Sequence, residues 1–192
     1  KLHSIKHLFF FSLEYDKIIN VNKFKSKNLF NLHFSLLPKY RGCHTNFLQL
    51  YKGEKFSGVT LHKIDNGIDS GDIVDQIKFK IKINDTAYEN YLRLMKFSVF
   101  LFKKNLSKIL NNDYKLKKQK LNNGSYYSRK SINYKKIVKF KIKDLTIKKH
   151  NKIRSLIFPA YQFPIVNGIP IVKSIYKNKK IYLVKSIDHN VK

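Results

Sequence analysis

The 192-residue chain has one cysteine, no tryptophan, seven glycines, four prolines and 12 acidic residues. A lone Cys43 excludes an intramolecular disulfide and any multi-cysteine zinc centre, and it fits a reducing compartment. Uninterrupted apolar runs such as Leu8 to Phe11 stay far short of the ~20 residues a membrane-spanning helix needs. No signal-peptide pattern is recognisable, so no membrane partner is expected. GxGxxG, Walker A and GxSxG patterns are missing as well, which leaves dinucleotide, nucleoside triphosphate and serine-hydrolase chemistry without support.

What the chain has in excess is positive charge: 40 Lys+Arg give a formal net charge of +28. The excess lies toward the C-terminus, since residues 1–100 carry 16 Lys+Arg and 9 Asp+Glu while residues 101–192 carry 24 and 3. The lysines are scattered singly, and Lys, Asn, Ile, Phe and Tyr are all abundant, the residues that A/T-rich codons specify. Coding bias on solvated faces is therefore preferred to a dedicated nucleic-acid surface, which stays open as the alternative. With 43% hydrophobic residues the chain can bury one core, with room for a small appendage.

Residues 8–12 (LFFFS) and 28–34 (NLFNLHF) read as buried strands, and such continuous apolar runs suit a parallel sheet covered on both faces. HTNFLQLYKG reads as a short helix stopped by Gly53, and SGVTLHKI (57–64) as the next strand, a strand-helix-strand crossover expected to be right-handed. A turn-rich loop DNGIDSGD (65–72) precedes an alternating strand over 73–83. TAYE (86–89) has capping-box spacing and opens a long helix whose apolar stripe is predicted to run through Tyr88, Leu92, Met95, Val99, Phe102, Leu106 and Ile109. Beyond it come a helix ended by Pro159 and short strands joined at Asn167-Gly168 and Asn178-Lys179. The expected division is a catalytic core over 1–112 and a basic extension over 113–192.

Asn31 and His33 stand two positions apart on a strand and so share one face. They lie at the strand's carboxyl end, where open α/β sheets bind ligands. A lone Asn or His in a strand is more often structural, but a nearby carboxylate would make the His a general acid/base. Asp65, Asp69, Asp72 and Asp75 cluster in the loop region that follows the next strand. Turn formation and a weak cation site are the competing readings; no EF-hand order or His/Cys ligand set accompanies them, so no metal is assigned.

NLHFSLLPKYRG, followed by GEKFSGVTLHKIDNGIDSGDIVDQ, resembles the catalytic core of the folate-dependent formyltransferases. These include methionyl-tRNA formyltransferase, glycinamide ribonucleotide transformylase and the nucleotide-sugar N-formyltransferases. The resemblance covers residues 8–110, with a weaker echo in YYSRKSI and KIRSLIFPAY. It implies an α/β, Rossmann-like core with a mainly parallel sheet, its N-terminal part incomplete, plus a small β-containing extension. It further implies Asn31, His33 and Asp69 as the catalytic trio, and Ser35, Leu36, Leu37 and Pro38 as part of the folate-binding wall. His62 matches a family histidine and is read as a structural hydrogen-bonder.

The formyl donor implied is 10-formyltetrahydrofolate and the acceptor a primary amine. Asn31 and a protonated His33 would hold the formyl oxygen while Asp69 orients the imidazole. CHTNF after YRG, and a tail too short for the β-barrel of tRNA-directed members, point to the sugar-modifying branch. The acceptor expected is thus a nucleotide-linked amino sugar, with Met-tRNA or a noncatalytic remnant as alternatives. Cytoplasmic location follows from that substrate; oligomeric state is left unassigned.

Overall fold

Leu29, Phe30 and Leu32 of one strand and Val59 and Leu61 of another are all buried. The computed structural model describes residues 2–186. In chain order the elements are β1 (Phe9–Leu13), β2 (Asn28–His33), β3 (Arg41–Gly42), α1 (Thr45–Tyr51), β4 (Phe56–Lys63), β5 (Ile73–Lys80) and α2 (Ala87–Leu110). There follow β6 (Tyr126–Tyr127), α3 (Tyr134–Ile137), β7 (Lys139–Phe140), α4 (Ile147–Leu156), β8 (Ile165–Val166), β9 (Ile169–Lys177) and β10 (Lys180–Lys185). The chain divides into two units, one of residues 1–45, 57–79 and 94–128, the other of 46–56, 80–93 and 129–192.

The first unit is built on a sheet of order β1-β2-β4-β5. Residues 57–62 of the interior strand β4 are all buried, which explains why that stretch shows no alternation. The edge strand β5 is only partly buried and keeps the alternation expected of a strand with one wet face. β1 pairs with β2 in parallel, and Phe11 stacks on Phe30 at 5.2 Å between ring centres.

The α/β, Rossmann-like class holds, but the crossover from β2 through α1 to β4 does not: β4 pairs with β2 antiparallel. α1 has seven residues, about 10 Å of helix, and the chain re-enters the sheet without returning along β2. β4 therefore starts near the end where β2 finishes.

The capping box predicted at Thr86 forms: Thr86 N–H donates to Glu89 Oε2 at 2.8 Å and Glu89 N–H to Thr86 Oγ1 at 3.2 Å. The apolar stripe predicted for the helix holds only in part: Ile109 is buried and Met95, Phe102 and Leu106 are half-buried, but Tyr88 is exposed. Leu92 and Val99 are exposed, and the buried positions are Ala87, Asn90, Leu94, Ser98, Leu101, Asn105 and Ile109. Three of these are polar, and each side chain makes at least one hydrogen bond, although Asn90 Oδ1 accepts none. Ser98 Oγ donates to Leu94 O at 2.8 Å, Asn105 Nδ2 to Leu101 O at 2.9 Å and to Asp75 Oδ2 at 3.0 Å, and Asn90 Nδ2 to Asn46 Oδ1 at 2.7 Å.

The second unit buries Ile153, Ile157, Val166 and Ile171 as a small core, with Phe140, Ile142, Phe163 and Leu183 packed around it. Its strands form a sheet of order β10-β9-β8-β7. Both predicted turns are present, with positive φ at Asn167 and Gly168 and at Asn178 and Lys179, as tight antiparallel hairpins require. Among the described residues no helix is long and apolar enough to cross a membrane.

Candidate active site

In the β2–β4 register Asn31 lies opposite His62 and His33 opposite Thr60. Directly opposed residues of an antiparallel pair present their side chains on one face. The period-two spacing that singled out Asn31 and His33 thus extends to β4, and His62 joins them. The ring centres of His33 and His62 are 6.3 Å apart.

Asp69 reaches this face from the loop after β4, with a left-handed backbone at φ 50°. Its Oδ2 lies 3.4 Å from His33 Nδ1 and accepts the Gly42 N–H at 2.8 Å. Its Oδ1 lies 3.3 Å from Asn31 Nδ2 and 3.5 Å from His62 Nε2. Because β4 runs antiparallel to β2, this loop does not leave β4 at the end where β2 finishes. Instead the loop folds back, closed at its root by Lys63 N–H on Asp72 O at 2.9 Å. The neighbouring aspartates do other work: Asp65 Oδ1 accepts from Gly67 N–H and Ser70 Oγ as a turn former, and Asp75 pairs with Lys104 at 2.8 Å.

The hydrogen bonds fix most of the protons. A backbone carbonyl can only accept, so His33 Nε2, 2.7 Å from Tyr40 O, carries a hydrogen; so does His62 Nδ1, 2.7 Å from Lys63 O. The nitrogens left for a proton, His33 Nδ1 and His62 Nε2, both face Asp69. Burial pushes the His33 pKa down, against the opposing pull of the Asp69 charge and the Tyr40 carbonyl, and the net direction is downward. Burial alone would raise Asp69, but the two histidines and the Gly42 N–H outweigh it and hold the carboxyl far below the usual carboxylate range. The site is an ionised carboxylate beside an imidazole with one vacant proton position.

A turn beyond β2 carries the segment Ser35 to Pro38. Ser35 and Leu37 are buried and bonded inward: Ser35 Oγ donates to Lys39 O at 2.7 Å, and Leu37 O accepts from Gln76 Nε2 at 2.9 Å. Leu36 and Pro38 keep part of their surface. The stretch 40–43 is braced by 125–127: Tyr40 N–H donates to Ser125 Oγ at 2.9 Å, Arg41 N–H to Ser125 O at 2.8 Å and Cys43 N–H to Tyr127 O at 2.8 Å. Gly42 sits at φ 85°, and a Cβ there would stand 2.3 Å from Tyr127 O, so only glycine can present its N–H to Asp69 at this spot. Tyr40 O and Gly42 N–H are backbone groups, and no side-chain spacing announces them.

The family model described as "Formyl transferase" matches residues 13–105. WlaRD, a sugar 3N-formyl transferase crystallised with dTDP and 5-N-formyl-THF, is 49% identical and superposes with a TM-score of 0.86 over 92% of this chain and 64% of its own. The chain belongs to the formyl transferase family. The N-formyltransferase from Helicobacter canadensis, in complex with folinic acid and dTDP-3-aminofucose, is 46% identical, with a TM-score of 0.86 over 92% of this chain and 65% of its own. Methionyl-tRNA formyltransferase of Clostridium tetani is 40% identical over 98 residues, 51% of this chain and 32% of that protein. This family member therefore spans less than two thirds of each of these relatives.

Proposed function

We propose that this chain transfers a formyl group from 10-formyltetrahydrofolate to the amino group of a nucleotide-linked amino sugar, a dTDP-linked 3-amino sugar being the favoured acceptor. The observation that carries the reading is the convergence of Asn31, His33 and Asp69 on one face. The likeness to sugar N-formyltransferases over nearly the whole chain supports the choice of acceptor.

The residues present suit the donor. Leu36 and Pro38 offer apolar surface beside the site, and the inward bonds of Ser35 and Leu37 keep that turn rigid. Bound there, 10-formyltetrahydrofolate supplies a formyl carbon open to attack by an amine. Asn31 Nδ2 donates to the formyl oxygen as negative charge develops on it, exchanging one of two long bonds, 3.3 Å to Asp69 and 3.3 Å to His62, for a shorter one. His33 keeps its Nε2–H on Tyr40 O, and its vacant Nδ1 helps that oxygen, as an N–H with positive charge, only once it has taken up the proton released in the reaction. Asp69 draws the proton of the attacking amine onto the His33–Asp69 pair, from which it passes to the departing folate nitrogen.

A second acceptor, Met-tRNA, is favoured by two observations, the charge excess of residues 101–192 and the methionyl-tRNA formyltransferase relative. Incubating the chain with 10-formyltetrahydrofolate and either a dTDP-linked 3-amino sugar or Met-tRNA, and following formamide formation by mass spectrometry, separates the two. Product from the sugar, without a salt-sensitive affinity for tRNA, supports the first reading. Product from Met-tRNA alone overturns it, and no product from either favours a noncatalytic remnant.

A further inference from the structure

Asp69 owes its place to a residue fifty positions away. Gln119 Nε2 donates one hydrogen to Asp69 O at 3.0 Å and the other to Gly71 O at 2.7 Å. Both amide hydrogens are spent on carbonyls flanking the turn that carries Asp69, which is held at φ 50°. An isolated left-handed non-glycine residue costs of order 1–3 kcal/mol and persists only where its surroundings over-determine it. The same segment is anchored upstream, where Ile73 and Lys117 exchange backbone hydrogen bonds of 2.9 Å in each direction. Gln119 Oε1 is buried with no partner, so the side chain is placed by what its Nε2 does.

We propose that Gln119 is a positioning residue that locks the Asp69 backbone, and through it the carboxylate, onto His33 and Asn31. The proposal deepens the formyl-transfer reading and rests on it for its kinetic consequence only. Without the two donors the turn relaxes. The carboxylate then moves off His33 Nδ1, while the Gly42 N–H holds only one of its oxygens. Displacement by about 1 Å of a group so close to the chemistry can cost about a hundredfold in rate.

The test follows the His33 Cε1–H resonance of the full chain against pH by NMR, assigned by its loss in His33→Gln. The charged and titratable groups facing His33 are Asp69 and His62, and the Asp69 charge is what supports its protonation. Gln119→Met keeps length and packing but has no donor. Its expected result is a His33 titration displaced to lower pH, with His150, hydrogen-bonded to Ser174 and Ile83, titrating as before. Turnover falls about tenfold to a hundredfold while KM for donor and acceptor stays within about threefold. Gln119→Asn, too short to reach both carbonyls, gives the same displacement should Gln119→Met not fold. An unmoved His33 titration in a folded variant overturns the proposal. A displaced titration in a chain that transfers no formyl group overturns the proposed function and leaves the positioning role standing.

Discussion

Asn31 and His62 face one another across antiparallel strands, and the proton on one imidazole nitrogen decides how the amide opposite it turns. His62 Nδ1–H is committed to Lys63 O at 2.7 Å, so in the neutral ring Nε2 is an acceptor, 3.3 Å from Asn31 Nδ2. Asp69 Oδ1 makes the same demand on Asn31 from the other side, at 3.3 Å. Both acceptors require the NH₂ end of the amide to point into the site, which is the end an oxyanion needs.

The first prediction concerns that pairing. In His62→Leu, Asn31 keeps only Asp69 to fix its amide, a loss of one hydrogen bond worth about 1 kcal/mol. We expect turnover to fall about fivefold to tenfold with KM little changed, measured by steady-state kinetics. A rate within twofold of the unmodified chain would return His62 to a purely structural role.

Asp69→Asn should cost far more, about 10²- to 10⁴-fold in turnover, because it removes the proton acceptor and the charge that supports His33. The fold survives, since an amide oxygen can still take the Gly42 N–H. The pH dependence has a definite sign. The folded-state pKa of Asp69 lies below its ordinary 3.8, so its stabilising contribution is fully present above that value and lost as pH falls toward the folded-state value. Denaturant unfolding below about pH 4 should therefore show a steeper loss of stability in the unmodified chain than in Asp69→Asn.

Side-chain periodicity made Asn31 and His33 legible, because a strand's period of two is independent of strand direction. The direction of β4 was not legible: the sequence of a seven-residue helix between two strands does not say which end of the sheet the chain re-enters. The same reading put His62 aside although Thr60 and His62 alternate as Asn31 and His33 do, and only the register makes them neighbours. On α2 the count of apolar residues favoured Leu92 and Val99, whereas burial follows Asn90, Ser98 and Asn105. A polar side chain goes inside when a partner waits there, and Asp75 and Asn46 are remote in sequence. Gln119 carried no local signal at all, as its partners are the carbonyls of Asp69 and Gly71.

Two polar contacts at the start of α2 should differ in weight. Thr86 is buried and caps the helix reciprocally with Glu89, so Thr86→Ala is expected to cost about 1 kcal/mol in denaturant unfolding. Lys173 pairs with the same Glu89, but both side chains are about a third or more exposed, at 32% and 42%. Lys173→Met should therefore cost well under about 1 kcal/mol and become neutral at high salt.

His150 supplies the last prediction. It is fully buried, with Nε2–H on Ile83 O at 2.8 Å and Nδ1 at 2.7 Å from Ser174 Oγ, which as the remaining donor gives its hydrogen to the ring. A charged ring would have to donate to Ser174 Oγ instead, and burial, reinforced by the Arg154 charge, lowers the His150 pKa in spite of the Ile83 carbonyl and so favours the neutral form. A histidine whose folded-state pKa lies below its ordinary 6.5 contributes stability that is complete above that value and is lost as pH falls toward the folded-state value. His150→Leu should cost about 2 kcal/mol or more at neutral pH, because Ser174 Oγ and Ile83 O are left without their partner. The gap between the two proteins should then narrow as pH falls below about 6.5. His33 titrates in the same direction in both, so the difference between their unfolding curves isolates His150. A gap that stays constant from pH 7 to 5 would mean that His150 does not exclude the proton in the folded state.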